Sequence, residues 1–275
     1  MAETLISALK GKRIVITRAA AQSEALAERL SALGALPVIL PLVAFAEPED
    51  FAPLDEAIAQ VGYFDWVIFT SGQAVKAIVG RSKQLNAALE RRGSKVQIAT
   101  VGPVSAEATR QAGLPVEYVA NMHNGVALAQ ELGERLQGRK VLLPRSDRAN
   151  PDLPAALRAH GADVTEVVAY RTLQPSDVDK LNLGRISAGE ADAILFFSPS
   201  AVQHYAELSG AEQLRELQDR VVITAVGPVT ANALREAGVE RMVVAADTTA
   251  TSVIQTLEQH FASATTQSAA GVKRG

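Results

Sequence analysis

The sequence predicts an α/β protein made of two similar three-layer lobes, each with a parallel β-sheet covered by helices on both faces. Short apolar runs of strand length alternate with segments in which apolar residues recur at helical spacing, an alternation that is typical of βαβ units. About halfway along the 275 residues the pattern starts again with matching residues. An internal duplication therefore accounts for the two lobes.

The first copy shows strand and helix signals in regular alternation. Apolar runs predict strands at residues 13–17, 37–43, 65–71, 96–101 and 116–120. Apolar residues at helical spacing predict helices at residues 22–33, 54–61, 74–79 and 125–136, and a short helix follows Gly102 and ends at Gly113. Strands in this order pair in parallel, because a helix lies in each crossover connection.

The second copy repeats these signals at a nearly constant distance. Strands are predicted at residues 138–145 and 192–198 and before Gly227. Three matched pairs lie 127 residues apart, namely 11–18 with 138–145, Gly34 with Gly161, and Ser71 with Ser198. The segments 102–105 and 227–230 lie 125 residues apart, so two residues are missing from a loop of the second copy. A repeat of this length indicates a duplicated domain rather than a solenoid.

Composition excludes several classes of function. The chain is 48% apolar but only 4% aromatic, so its cores should consist of Val, Ile, Leu and Ala. A net charge of −3 argues against binding nucleic acid or an anionic membrane through overall charge, whereas a few local arginines could still bind a small anion. The chain has no cysteine, no signal peptide and no run long enough to span a membrane, so we expect a cytoplasmic protein. From about residue 262 the small polar residues predict a disordered tail.

Polar residues cluster where predicted strands end and helices begin, which is where open α/β sheets bind their ligands. The candidates for ligand binding are Arg18, Thr70, Ser71, Gly102, Ser105, Arg145, Arg148, Ser198, Ser200, Gly227 and Thr230. Each hydroxyl also has a structural interpretation as a helix N-cap, Ser105 among them, and a strand-end arginine could form a surface ion pair. The interpretations are compatible, because a capped helix start also directs backbone N–H groups at an anion.

Tyr170 breaks the symmetry of the repeat, since the equivalent position holds Val43. Its side chain could be half-buried with the hydroxyl at the rim of the lobe, or it could donate a proton to a leaving group. The four histidines lack metal-ligand spacing, and no phosphate-binding loop, dinucleotide fingerprint or Gly-x-Ser-x-Gly motif is present. We therefore expect no metal or cofactor. The residues by themselves predict a two-lobed protein that binds a small anionic ligand between its lobes.

Together these residues resemble the uroporphyrinogen-III synthase family from Ile14 to about Phe261. The resemblance rests on short segments in a fixed order: 69–71, 101–102, 143–145, 168–172, 196–200 and 226–228. It implies an enzyme that cyclises the linear tetrapyrrole hydroxymethylbilane to uroporphyrinogen III, with inversion of the terminal pyrrole ring and loss of water, without a metal or cofactor. It also implies that Tyr170 is the general acid, that Ser105 and Thr230 contact the substrate, and that arginines bind its carboxylates.

The resemblance further implies cross-connected domains, one of residues 1–41 plus 174–275 and an inserted one of residues 42–173, joined by two extended linkers. The repeat by itself favours a contiguous division near Gln137. We expect a monomer. Two other classes of function remain open at this point. One is a non-enzymatic two-lobed sensor of small molecules, and the other is a transferase for phosphorylated substrates, which the missing phosphate loop disfavours.

Overall fold

The structure is a computed structural model that describes residues 7–87, 89 and 96–271, with the backbone alone for residues 264–271. The chain forms two compact units. The first unit consists of Met1–Ala44 and Gln174–Gly275, and the second of Phe45–Leu173. Each unit contains one β-sheet of its own.

The chain starts in the first unit with β1 (Arg13–Ile16), α1 (Ala20–Ala32) and β2 (Leu36–Ile39). It continues with β3 (Ala44–Ala46), α2 (Ala52–Ala59), β4 (Trp66–Phe69), α3 (Gly72–Gln84), β5 (Gln97–Thr100), α4 (Pro103–Gln111), β6 (Tyr118–Val119), α5 (Gly125–Leu132), β7 (Lys140–Ser146), α6 (Asp152–Ala159) and β8 (Asp163–Leu173). The first unit then resumes with α7 (Lys180–Ser187), β9 (Ala193–Phe196), α8 (Pro199–Ser209), α9 (Ala211–Leu217), β10 (Val222–Val226), α10 (Pro228–Glu236), β11 (Val243–Ala245) and α11 (Ala250–Gly271). Short 3₁₀ turns lie at Val61–Tyr63 and Gly133–Leu136.

The two sheets have the same strand order. The sheet of the first unit runs β2-β1-β9-β10-β11, and that of the second runs β8-β7-β4-β5-β6 with β3 added beside β8. The pairings from β2 to β11 and from β8 to β6 are parallel. Matching strands of the repeat thus occupy matching places, which confirms the predicted α/β class, the parallel sheets and the duplication.

Helices cover both faces of each sheet, which gives the expected three layers. In the second unit, successive residues of β4 point into different clusters of buried side chains. Phe69 lies in one with Ile78 of α3, and Ile68 lies in the other with Leu128 of α5 and Leu157 of α6. In the first unit, residues of β1 and β9 share a cluster with buried side chains of α1 and α11. Burying one such aliphatic side chain contributes roughly 1.5–3 kcal/mol, so these two-sided cores hold the strand ends in place.

The end of the chain differs from the prediction of a disordered tail from about residue 262. Helix α11 continues to Gly271. The helix is already nucleated where Leu257 and Phe261 pack into the first unit, and the alanine-rich residues that follow extend a nucleated helix at little cost. The prediction is therefore wrong as far as Gly271, and residues 272–275 lie outside the described residues. None of the helices that the structure describes has the length and apolar character needed to cross a membrane.

Candidate active site

Three helices of the second unit begin at the carboxyl edge of its sheet. Helices α3, α4 and α5 follow β4, β5 and β6 directly, and the parallel strands place these helix starts on one edge. Ser71 caps α3 by accepting a hydrogen bond from the N–H of Ala74 at 3.1 Å, and Asn124 caps α5 by accepting one from Ala127 at 2.8 Å. The N–H groups of a first helical turn have no acceptor within the helix, so this edge favours bound anions.

The start of α4 differs from the prediction that Ser105 caps it. The N-cap is Gly102, and Ser105 is the third residue of the helix. The Gly102 N–H donates to Ser105 Oγ at 3.2 Å, and the Ser105 hydroxyl donates to the Gly102 carbonyl at 2.9 Å. Ser105 is 4% exposed, so its hydroxyl closes the turn and is not presented to a ligand. The groups that this turn can offer to an anion are its backbone N–H groups.

A β-bulge sets the position of Tyr170. Arg145 pairs with Val168, but the next residue of β7, Ser146, pairs with Tyr170, so Ala169 is an extra residue in β8. Residues of a regular strand alternate between the two faces, whereas here Ala169 and Tyr170 lie in the same buried cluster. Without the bulge, the phenol would point to the other face of the sheet.

The phenol of Tyr170 is buried and lies beside the start of α3. Its oxygen lies 3.2 Å from Ser71 Oγ, and its ring packs edge-on against Phe45 with the centroids 5.5 Å apart. Burial, the largest effect, raises the pKa of the phenol above its ordinary value. The hydrogen bond with Ser71 and the charge of Arg145 lower the pKa, and the charge of Asp147 raises it. Tyr170 is therefore neutral at neutral pH and can donate a hydrogen bond or a proton.

A network of polar side chains, which the sequence analysis did not single out as a unit, ties the ends of β7 and β8 together next to Tyr170. Asp147 Oδ1 accepts hydrogen bonds from the N–H of Thr172 at 2.9 Å and from the hydroxyl of Ser146 at 3.0 Å. The two hydroxyls of Ser146 and Thr172 lie 2.8 Å apart, and the Asp147 N–H donates to the carbonyl of Tyr170 at 3.2 Å. The network fixes the segment that contains Tyr170.

Arg145 has partners within the second unit, in contrast to the prediction that it binds a ligand. It is 8% exposed, and its Nη1 donates to Glu166 at 2.5 Å while its Nη2 donates to the carbonyl of Asn150. A buried cation is stable only with such partners, so its role is to hold the β7–β8 pair. Arg148 lies on the exposed loop after β7, where its N–H donates to Ser146 Oγ at 3.2 Å, and Thr70 is half-buried at the end of β4.

In the first unit, Arg18 follows β1 at the carboxyl edge of the sheet. Its guanidinium lies over the ring of Phe197, 4.8 Å from the centroid, and it is half-buried. Burial lowers the pKa of this guanidinium, and among the described residues it has no carboxylate or carbonyl partner. A partly desolvated cation without a counter-ion is a good receptor for an anionic ligand.

The remaining candidates of the first unit lie at the starts of α8 and α10. Ser198 caps α8 through the N–H of Ala201 at 3.3 Å, and Ser200 is half-buried in the first turn. Gly227 caps α10 with a φ of 87°, and Thr230 is 3% exposed in the turn that follows. The structure thus brings together Ser71 and Tyr170 in one unit, and in the other it places Arg18 and two helix starts at one sheet edge.

Comparisons with known proteins identify the family. The family model for uroporphyrinogen-III synthase HemD matches residues 24–255. The chain belongs to the uroporphyrinogen-III synthase family. A uroporphyrinogen-III synthase of Synechococcus elongatus is 31% identical over 234 residues, which cover 83% of this chain and 87% of that relative.

Solved structures of the uroporphyrinogen-III synthase family have the same fold. A crystal structure of a mutant uroporphyrinogen III synthase from Thermus thermophilus matches with a TM-score of 0.65 at 26% identity, over 94% of this chain and 100% of that one. The wild-type protein of the same organism, in a second crystal form, matches with a TM-score of 0.52 at 29% identity over the same shares. The resemblance found in the sequence is confirmed, and membership of this enzyme family does not favour the non-enzymatic sensor.

Proposed function

We propose that this protein converts hydroxymethylbilane to uroporphyrinogen III, closing the macrocycle with inversion of the terminal pyrrole ring and loss of water. The observation that supports this most directly is the protonated phenol of Tyr170, held beside Ser71 at the carboxyl edge of a sheet in a chain of this family. The reaction needs a proton donor at the departing hydroxyl group, and a neutral buried phenol is suited to that task.

The proposed reaction begins at the hydroxymethyl group. Its C–O bond breaks with both electrons on the oxygen, which takes the proton of Tyr170 and leaves as water. An azafulvenium cation remains on the pyrrole ring that held the group. The substituted carbon of the terminal ring attacks this cation and gives a spiro intermediate, which fragments and recloses with that ring inverted. The proton that the ring carbon loses at closure returns to the phenolate of Tyr170.

The protein must also favour attack at the substituted carbon over simple closure, which is a matter of orientation. We propose that the carboxylates of the bilane bind to Arg18 and Arg148 and to the helix starts at Ser71, Gly102 and Gly227. Ser198, Ser200 and Thr70 lie at these starts, and backbone N–H groups supply many of the donors. Thr230 is 3% exposed, so we assign it, like Ser105, to the packing of its helix start rather than to the substrate. Because the contacts are numerous, we expect single binding substitutions to weaken activity rather than abolish it.

Tyr170→Phe tests the proposed donor. We expect kcat for the type III isomer to fall roughly a hundredfold with KM near that of the wild type, because the lost proton donor acts mainly in the transition state. The assay mixes freshly made hydroxymethylbilane with enzyme and separates the type III product from the type I isomer that forms spontaneously. Tyr63→Phe is the matched control, because Tyr63 precedes β4 at the opposite edge of the sheet and is 72% exposed.

Two outcomes of this assay would contradict the proposal. If the wild type yields only the type I isomer, the protein is not a synthase. If Tyr170→Phe forms the type III isomer at the wild-type rate, Tyr170 has no part in the reaction.

We further propose that the enzyme is a cytoplasmic monomer whose domains are residues 1–41 plus 174–275 and residues 42–173. The family resemblance supports the cross-connected division, and the compact units Met1–Ala44 with Gln174–Gly275 and Phe45–Leu173 are compatible with it. Light scattering of the purified protein should give the mass of one chain, 29.0 kDa. A mass of twice this value at assay concentration would contradict the monomer.

A further inference from the structure

The second copy of the repeat has a group of polar residues at positions where the first copy has apolar ones, and this group lies in the second unit. Along the repeat, the paired positions are Ala19 and Ser146, Ala20 and Asp147, Val43 and Tyr170, and Phe45 and Thr172. In every pair the first copy has an apolar residue and the second has a hydroxyl or a carboxylate. In a duplicated fold, features shared by both copies serve what the copies have in common, either the scaffold or repeated binding contacts, whereas a cluster confined to one copy indicates a function of that copy.

Within this cluster, Asp147 has one fixed and one available carboxylate oxygen. Oδ1 is held by Thr172 and Ser146, and the backbone N–H of Asp147 is held by the carbonyl of Tyr170. Oδ2 has no hydrogen-bond or ion-pair partner in the part of the chain that the structure describes, and the residue is exposed. An exposed aspartate normally samples several rotamers, whereas this one is held in a single orientation beside the proposed proton donor.

The negative charge of Asp147 is not required by the hydrogen bonds that hold it. Thr172 and Ser146 donate to a single oxygen, and the amide oxygen of an asparagine could accept both bonds. The charge also acts on Tyr170, since it opposes loss of the phenol proton. The hydrogen bonds of Asp147 therefore do not explain why this position holds a charged side chain, and the charge changes the electrostatics of the site.

We propose that Asp147 is a catalytic residue whose Oδ2 lies against the pyrrole ring that loses the hydroxyl group and stabilises the azafulvenium cation formed there. This inference rests on the proposed synthase function. No bond to Asp147 forms, and no proton moves to it. A fixed opposite charge next to a developing cation lowers the barrier because it needs no reorganisation as the C–O bond breaks.

The experiment compares Asp147→Asn, Asp147→Glu and Asp147→Ala in the full chain, with kcat and KM for the type III isomer and the thermal midpoint of each variant. Asp163→Asn is the matched control, since Asp163 is an exposed carboxylate at the opposite end of β8. For Asp147→Asn we expect kcat to fall roughly tenfold to a hundredfold, with KM within about twofold and an unchanged midpoint. Because the carboxylate is exposed, added salt should reduce kcat of the wild type more than kcat of Asp147→Asn.

The ranking of the variants by kcat distinguishes an electrostatic role of Asp147 from a role in positioning its neighbours. The proposal expects kcat to decrease from wild type to Asp147→Glu to Asp147→Asn, with Asp147→Ala no higher than Asp147→Asn. Asp147→Asn at the wild-type rate with Asp147→Ala impaired would overturn it, because hydrogen bonding alone would then account for the residue. If Asp147→Asn fails to fold, Asp147→Glu still decides, since an impairment equal to that of Asp147→Ala would overturn the proposal. Failure of the wild type to make the type III isomer would instead overturn the synthase function itself.

Discussion

Replacing Gly102 with alanine tests substrate binding at the start of α4, measured as KM, independently of the stability of the second unit, measured as the free energy of unfolding. Gly102 has a φ of −162°, which any residue adopts, and a Cβ there would lie 3.8 Å from the nearest atom, the Cβ of His123. The structure therefore accommodates the methyl group without strain. Alanine lowers the conformational entropy of the unfolded chain, which favours folding by about 0.4–1 kcal/mol, whereas at an N-cap it is less favourable than glycine by a similar amount. The free energy of unfolding should therefore stay within about 1 kcal/mol of the wild type.

Binding should respond differently, because we propose that the start of α4 binds a substrate carboxylate, and the added methyl group would lie on the N-cap residue of that helix. Loss of one charge-assisted hydrogen bond to a substrate carboxylate costs about 1.5–3 kcal/mol, which corresponds to a rise in KM of roughly tenfold to a hundredfold. Thermal unfolding and the isomer assay measure the two effects on the same preparation. An unchanged KM for Gly102→Ala would refute the assignment of this helix start to substrate binding.

Gly227→Ala is the natural comparison in the other copy of the repeat. Gly227 has a φ of 87°, a conformation in which an alanine is strained by about 1–2 kcal/mol. For a protein of this size the thermal midpoint of the affected unit should fall by several degrees. Because both glycines are N-caps and only Gly227 has a positive φ, Gly227→Ala is expected to destabilise the protein more than Gly102→Ala.

Two further substitutions distinguish binding arginines from structural ones. Arg18→Met should raise KM for the bilane several-fold with little change in kcat, and the difference should shrink at high salt; an unchanged KM would show that Arg18 is structural. Arg145→Met should leave KM unchanged but lower the free energy of unfolding by about 2–3 kcal/mol in urea titrations, because Glu166 and the carbonyl of Asn150 lose a buried partner. A normal unfolding midpoint together with a raised KM would reverse this assignment.

The fold could be predicted from the sequence because its signals are local and occur twice. Apolar runs identified the strands β1, β2, β4, β5, β6, β7, β9 and β10, and the constant distance between copies predicted that equivalent strands take equivalent places. The elements β3, β8, β11, α7, α9 and α11 were not predicted. A strand of three residues such as β3, or a helix of eight residues with few apolar ones such as α7, carries little signal. The predicted strand 37–43 ends at Ile39 in the structure, just before Pro41, which has no N–H for strand pairing.

The site could be predicted only in part, because long-range register decides which polar groups meet. Arg145 has the sequence context of a ligand-binding residue, and its partner Glu166 is 21 positions away on a strand whose pairing the sequence does not specify. Asp147 is an acidic residue in a loop, for which a solvated role is the default. The bulge at Ala169 depends on the same register. Tyr170 was found by a different route, since comparison of the two copies needs no knowledge of contacts.

The position of the bulge suggests how a symmetric scaffold could acquire an asymmetric reaction. Strands β7 and β8 extend beyond the lengths of their equivalents β1 and β2, and the extra residues include the bulge, Tyr170, Ser146 and Thr172, while Asp147 follows the last residue of β7. The helix starts common to both copies suit the many carboxylates of a bilane, which differ little from one another. The reaction, in contrast, begins at a single hydroxymethyl group, so its donor and its counter-charge are needed only once. In the proposed mechanism, lengthening one strand pair supplies both without altering the helix starts at the edge of either sheet.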